Sequence, residues 1–189
     1  MRKYEFTGET RKIQLMFRTV TLHRIRAVIS FGLVDAGELG GWIEKEENLS
    51  HEGKAWVCGD AKVCGDAKVW GNAEVWGNAK VWGNAKVCGD AEVWGNAEVW
   101  GNAKVFSASH VLVIGPIGSR NDFTTFYRDK DNEITVKCGC FLGKIDKFLE
   151  KVTRTHGNSK YALVYRAAVE VAKLQIDLSD EAPEEDGEE

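Results

Sequence analysis

The sequence predicts a mainly β protein organised around a short solenoid, and three observations support this. Eight hexapeptides run from Val57 to Lys104 without an insertion: VCGDAK, VCGDAK, VWGNAE, VWGNAK, VWGNAK, VCGDAE, VWGNAE, VWGNAK. Valine returns at every sixth position from 57 to 105, and alanine does so from 55 to 103. Every unit contains Gly-Asn or Gly-Asp, in a chain with twenty glycines and only two prolines. A period of six keeps no face on a 3.6-residue helical turn, and glycine at each sixth place would break a helix. Strands remain.

The N-terminal segment, residues 1–50, offers one strand at Val20–Ile29 and then Gly40-Gly41-Trp42-Ile43, a tight turn followed by an aromatic plug. It is expected to cap the first coil, because the open ends of a strand stack expose unpaired edges. The repeat region covers residues 51–114, counting the degenerate copies His51–Trp56 and Val105–His110. Within each unit Ala-Lys/Glu-Val-Trp/Cys is extended, so Ala and Val point to one side while Lys/Glu and Trp/Cys point to the other. Gly with Asn or Asp forms the corner, because these residues reach positive φ at low cost. Val111–Ile114 reads as a last apolar rung.

Residues 115–176 are expected to form a ββαα module. Its strands are Phe123–Tyr127 and Ile134–Cys140, joined by the turn Arg128–Asn132. Lys144–His156 places Ile145, Phe148, Leu149 and Val152 at helical spacing with Gly157 as C-cap, and Lys160–Leu178 repeats the pattern through Leu163, Ala167, Val171 and Leu174. Residues 177–189 hold eight acidic groups and no basic one, and read as a disordered, solvated tail.

The repeat, an aliphatic residue followed four places on by a small one, resembles the hexapeptide-repeat proteins. TLHRIRAVISFG…AGELGGWIEKEENLS and GPIGSRNDFTTFY…CGCF resemble, more narrowly, the phage and prophage members of that family, which are often named as transferases. The resemblance implies a short left-handed parallel β-helix of triangular section, with three hexapeptides per coil and about three coils here. This chain departs from the family in carrying Trp, Cys or Phe after the aliphatic residue.

At 18 residues per coil the outward side chains sort into three faces. Lys62, Lys80 and Glu98 share one with Cys64, Trp82 and Trp100; Lys68, Lys86 and Lys104 share the second with Trp70, Cys88 and Phe106. The third carries Trp56, Glu74, Glu92 and His110 with Cys58, Trp76, Trp94 and Leu112. The lysine face of one protomer is therefore expected to dock on the Glu74/Glu92 face of another, closing a homo-oligomeric ring with a trimer favoured. The plainer alternative is solvated charges flanking self-stacked tryptophans.

Charge narrows the function. The chain carries 25 basic and 29 acidic groups, and without its tail it is only mildly basic, so a nucleic-acid partner is not expected. No stretch is apolar enough for a membrane span, and no apolar region follows the basic start. Five cysteines, an odd number, fit reduced thiols in a bacterial host cytoplasm. No metal and no cofactor are expected. His110 is the candidate base for a hexapeptide-type acyltransferase, a chemistry the resemblance implies. The loop Gly115–Asp122 is the candidate binding site for a small anion or nucleotide, through Gly118 and Ser119 backbone N–H groups and the Arg120 guanidinium, unless Asp122 pairs with Arg120 instead. The leading expectation is a non-enzymatic interaction scaffold of phage type acting on a host defence protein or its signal, with the ligand binder and the acyltransferase as alternatives.

Overall fold

A computed structural model of the chain describes residues 1–15 and 18–179. Strands β1 (Tyr4–Gln14) and β2 (Thr19–Ala27) form an antiparallel hairpin, and β3 (Leu39–Ile43) pairs with β2. Short rungs follow: β4 (Trp56–Val57), β5 (Lys62–Val63), β6 (Lys68–Val69), β7 (Glu74–Val75), β8 (Lys80–Val81), β9 (Lys86–Asp90), β10 (Glu92–Val93), β11 (Glu98–Val99) and β12 (Lys104–Ser107). They stack into three parallel sheets, β3-β5-β8-β11, β4-β7-β10 and β6-β9-β12. The register steps by eighteen residues, from Lys62 to Lys80 to Glu98 and from Lys68 to Lys86 to Lys104, as the triangular coil requires.

The solenoid has about four turns, where about three were expected. Trp42-Ile43 pairs in parallel with Lys62-Val63, Leu49 bridges to Val69, and Trp56-Val57 pairs with Glu74-Val75. Ile43 and Leu49 lie six residues apart and take the buried places that valine takes in later turns. A two-residue excess before Val57 hides them from a strict hexad. The alanines and valines of the repeat are buried and form one continuous core column. At the corner, Gly71 has φ 72°, and a Cβ there would stand 3.1 Å from the backbone nitrogen of Gly89 one coil on. Both the dihedral and the rung spacing therefore demand glycine.

Gly40-Gly41-Trp42-Ile43, expected as a tight turn and an aromatic plug, is instead strand β3, with Trp42 packed on Val20, Leu22 and Cys64, and Lys3 and Tyr4 lie against the first turn. Lys3 is 1% exposed, and its ammonium donates to the Ala55 carbonyl at 2.8 Å and the Glu52 carbonyl at 3.3 Å. Tyr4 stacks on His51 with ring centroids 4.2 Å apart, and its hydroxyl donates to the Leu49 carbonyl at 2.9 Å. Burial pushes the Lys3 ammonium down to about 8, and burial with nearby Glu46 pushes the Tyr4 phenol up.

At the other end the expected ββαα module has four strands. β13 (Val111–Ile117), β14 (Asp122–Arg128), β15 (Ile134–Cys138) and β16 (Phe141–Lys144) form an antiparallel meander, followed by α1 (Ile145–His156) and α2 (Lys160–Gln175). Val111–Ile114 is thus no solenoid rung. It is apolar on both faces because it lies between two cores: Val111 and Val113 pack on the solenoid, and Leu112 and Ile114 pack on the helices. β14 alternates in the same way. Phe126 faces the helices, while Thr125 and Tyr127 cap the last coil. Thr125 Oγ1 accepts from the Glu98 N–H at 3.0 Å, Tyr127 Oη donates to the Trp100 carbonyl at 3.1 Å, and the Lys130 N–H donates to the Asn102 carbonyl at 2.9 Å. The sheet closes the solenoid, and the helices cover the sheet.

Two expected side-chain placements are corrected. His110, expected outward on the last coil, sits in the 3-10 turn Ala108–His110 and is fully buried, edge-on to Phe106 with Nε2 3.4 Å from the Arg128 guanidinium. The turn redirects the chain from solenoid to sheet and carries the imidazole inward. On α2 the expected core stripe Leu163, Ala167, Val171 and Leu174 faces solvent, and the protein buries Ala162, Tyr165, Ala168, Val169 and Ala172 instead. They share one core cluster with Phe126 and Val136 of the sheet and Phe148 of α1. On α1, Phe148 and Val152 are buried as expected, and Gly157 caps the helix. Asp177 is tied to the fold through its N–H to the Ser109 carbonyl at 3.2 Å, and the acidic tail from 180 lies outside the described residues. Among the described residues no helix is long and apolar enough to cross a membrane.

Tyr127→Phe removes the hydroxyl that serves both backbone groups of Trp100, so it is expected to cost about 1–3 kcal/mol in urea unfolding with the fold retained. Lys3 gives a pH signature. The unfolded chain keeps the Lys3 proton up to 10.5, whereas the folded chain releases it near 8. The unfolded state therefore binds more protons between those values, and unfolding free energy gains a rising contribution across that window. Urea midpoints of the wild type measured against Lys3→Met should shift in favour of the wild type as pH rises from about 8 to 10.

Candidate functional site

A groove of about 800 Å³ runs along the first solenoid face. Lys62, Lys80, Trp82, Glu98 and Trp100 form its floor, Gln14 and Leu15 of the N-terminal hairpin close one side, and the C-terminal sheet closes the other. From that sheet come Arg120, Asp122, Phe123, Thr125, Lys137, Cys140 and Leu142. Each position follows from strand alternation. The floor residues flank inward-facing valines, and Thr125 pairs in register with Lys137 on the sheet face opposite Phe126 and Val136.

The groove is cationic around one neutralised carboxylate. Glu98 Oε1 lies 2.7 Å from the Lys80 ammonium, and Oε2 lies 2.8 Å from that of Lys137. Burial works to raise the Glu98 carboxyl, but Lys137 and Lys80 outweigh it and hold the group below the ordinary glutamate range. Burial, reinforced by Arg11 and Lys80, pushes Lys62 below the ordinary lysine range against the pull of Asp60. Lys62, Lys80, Arg120 and Lys137 against Glu98 and Asp122 leave the lining with an excess of two positive charges. The indoles of Trp82 and Trp100 lie 4.5 Å apart, with the Lys80 ammonium 5.7 Å from the Trp82 ring and that of Lys137 4.8 Å from the Trp100 ring. Both indole nitrogens are buried and lack a hydrogen-bond partner among the described residues.

The predicted loop enters this site in part. Arg120 and Asp122 line the groove and form no ion pair with each other among the described residues; the guanidinium lies beside Gly139, and Asp122 Oδ1 accepts from the Phe123 N–H at 2.8 Å. Gly118 and Ser119 turn the other way, toward Tyr165. A Cβ on Gly118 (φ 72°) would fall 2.0 Å from the Tyr165 hydroxyl. Burial and then neighbouring Cys138 raise the Tyr165 phenol, while hydrogen bonds from Ser119 oppose them. The loop is therefore anchored to α2, and of its four candidate residues two point at the groove.

The other predicted faces stay apart from it. Lys68, Lys86 and Lys104 with Trp70 and Phe106 line a second solenoid face, and Arg128 covers Phe106 at 4.6 Å. Glu74 and Glu92 are in register on the third face, where Trp76 and Trp94 stack at 5.6 Å and remain exposed. Lys137 and Cys140 were not singled out from sequence as groove residues. Lys137 alternates with Ile134 and Val136, which marked it as facing away from the helices, but nothing local said that a solenoid stood opposite. Among the described residues no cluster of three or more His, Cys, Asp or Glu could hold a metal ion.

No known family profile matches the chain. Over 61 residues it is 38% identical to the uncharacterized acetyltransferase YdcK of Escherichia coli (strain K12), a match that covers 30% of this chain and 19% of that protein. The chain thus aligns with about a fifth of that relative's length.

Because Glu98 is held below its free value of 4.5, its two ion pairs contribute stability above that pH and lose it as pH falls through the folded value. Glu98→Gln is expected to lower stability near neutrality and to flatten the acid limb of the unfolding profile below about pH 4.5, as followed by thermal melts.

Proposed function

We propose that the chain is a non-enzymatic binding scaffold whose groove takes a small anion bearing a planar ring, with a nucleotide as the model ligand. The observation that carries this reading is the convergence of Lys62, Lys80, Lys137 and Arg120 around the Trp82–Trp100 pair. Arginine offers a planar fork to phosphate or carboxylate, and lysines add charge without fixed geometry. The indoles supply apolar surface on which a planar ring can stack. Binding without chemistry is favoured because the lining carries no histidine, Glu98 is neutralised by two lysines, and Asp122 is committed to its own loop. In the phage setting that the resemblance implies, a host signalling nucleotide belongs to this ligand class.

Acyl transfer remains the second reading, favoured by the name of the partial relative YdcK. Acetyl-CoA is itself anionic and carries an adenine ring, so it belongs in the same titration. His110 would have to act from a fully buried place beside Phe106 and Arg128, away from the groove lining.

Calorimetric and tryptophan-fluorescence titration with mononucleotides, cyclic nucleotides, acetyl-CoA and inorganic phosphate tests the proposal. A ring-bearing anion is expected to bind more tightly than phosphate, and Arg120→Ala and Lys62→Ala are each expected to weaken it about tenfold, or ~1.4 kcal/mol. No binding by any of these up to roughly 1 mM, or affinities unmoved by both substitutions, would overturn it.

A further inference from the structure

The second solenoid face stacks three like charges. Lys68, Lys86 and Lys104 stand in register on successive coils, with Trp70, Cys88 and Phe106 beside them. Rungs lie about 4.8 Å apart, so the ammonium groups repel one another along the column. The first face relieves the same strain by setting Glu98 beside Lys80, whereas the second column contains no glutamate. The acids around it are engaged where they stand. Asp66 pairs with Lys45, which Glu47 also attracts, Asp90 accepts from the Asn72 amide, and Asp131 pairs with Lys130. Arg128, over the Phe106 ring at 4.6 Å, adds a further cation at the upper end of the face.

The described residues end at that same upper end. Asp177 donates its N–H to the Ser109 carbonyl at 3.2 Å, three residues beyond Phe106, and the Leu178 carbonyl accepts from Asn132 Nδ2 at 2.8 Å. Ser179, and after it His110 and Arg128, hold the Asp177 carboxyl below the ordinary aspartate range, so the exit already lies in the field of this face. Ten residues of sequence follow, 180–189, with seven acidic groups and no basic one. In extended form that length reaches roughly 33 Å, whereas the column from Lys104 to Lys68 spans two rungs, about 10 Å. The groove is the other cationic surface, but it opens on a different face, and Glu98 already occupies Lys80 and Lys137 there.

We infer that residues 180–189 run back as an acidic strap along the Lys104–Lys86–Lys68 column of their own protein. The strap supplies the carboxylates that the column lacks. A lysine face covered in this way is closed to the Glu74/Glu92 face of another copy, so the strap opposes the ring expected from those two faces.

Carbodiimide cross-linking of mixed unlabelled and heavy-isotope full chain, read by mass spectrometry, tests this. Lys86 and Lys104 are expected to join Glu181, Glu184 or Glu185 within chains of one isotope, and the links should fade in about 1 M salt, where charges are screened beyond about 3 Å. Acetic anhydride labelling gives a second readout. In the full-length variant Glu184→Gln/Glu185→Gln/Asp186→Asn, Lys86 and Lys104 should react several-fold faster than in the wild type, while exposed Lys12 and Lys147 keep their rates and report an intact fold. Tail links absent from the column, tail links formed only between chains of different isotope, tail links to Lys62 of the groove instead, or labelling rates unmoved by the variant would each overturn the inference.

Discussion

The stacking of like corners governs this molecule. Each glycine corner must adopt positive φ and must also let the next coil's backbone pass within van der Waals reach, as Gly71 does beneath Gly89. Once the corners superimpose, valine and alanine have no place except the narrow interior, and lysine, glutamate and tryptophan have none except the outer faces. Backbone N–H groups of one coil then bond the carbonyls of the next, from Trp56 to Ala73 and Lys80 to Ala97. The core needs only two side-chain types because the coil, not side-chain variety, sets its width.

That regularity creates the problem solved by the rest of the chain. A stack of strands ends in unpaired backbone groups and an open apolar column. At the start, Tyr4 and Lys3 close the column with a ring and a buried ammonium held by carbonyls. At the end, a whole strand lies across the opening and answers it with side chains: Thr125 to Glu98, Tyr127 to Trp100. The groove is a consequence of this second closure. The strand that caps the last coil brings Thr125 to one solenoid face, and its neighbours bring Lys137 and Arg120. Glu98 keeps those cations from repelling one another by pairing with Lys80 and Lys137 together.

The tryptophans that follow the valines show how one repeated position acquires different environments. Trp82 and Trp100 become a groove floor once the C-terminal sheet arrives. Trp76 and Trp94 stack on each other and stay exposed. Sequence periodicity makes these sites equivalent, and only the flanking segments make them different.

The sequence alone determined the solenoid and its interior of valine and alanine, because a strict repeat imposes one conformation on all of its units, whereas the eighteen-residue coil and its three faces followed from the resemblance to hexapeptide-repeat proteins. The sequence also determined α1 with its glycine cap, through local spacing and local chemistry. Tertiary structure decided the rest. The extra first turn depended on Ile43 and Leu49 keeping the hexad across an irregular link to Val57. The fate of VLVIG and of His110 depended on a chain reversal that no single residue announces. Which side of α2 is buried depended on docking with Phe126 and Val136 of the sheet and Phe148 of α1. The groove, too, joins residues about 120 positions apart, Gln14 to Lys137. Periodicity reports which face a residue shares with its neighbours, whereas the partner of that face is set by how distant elements dock.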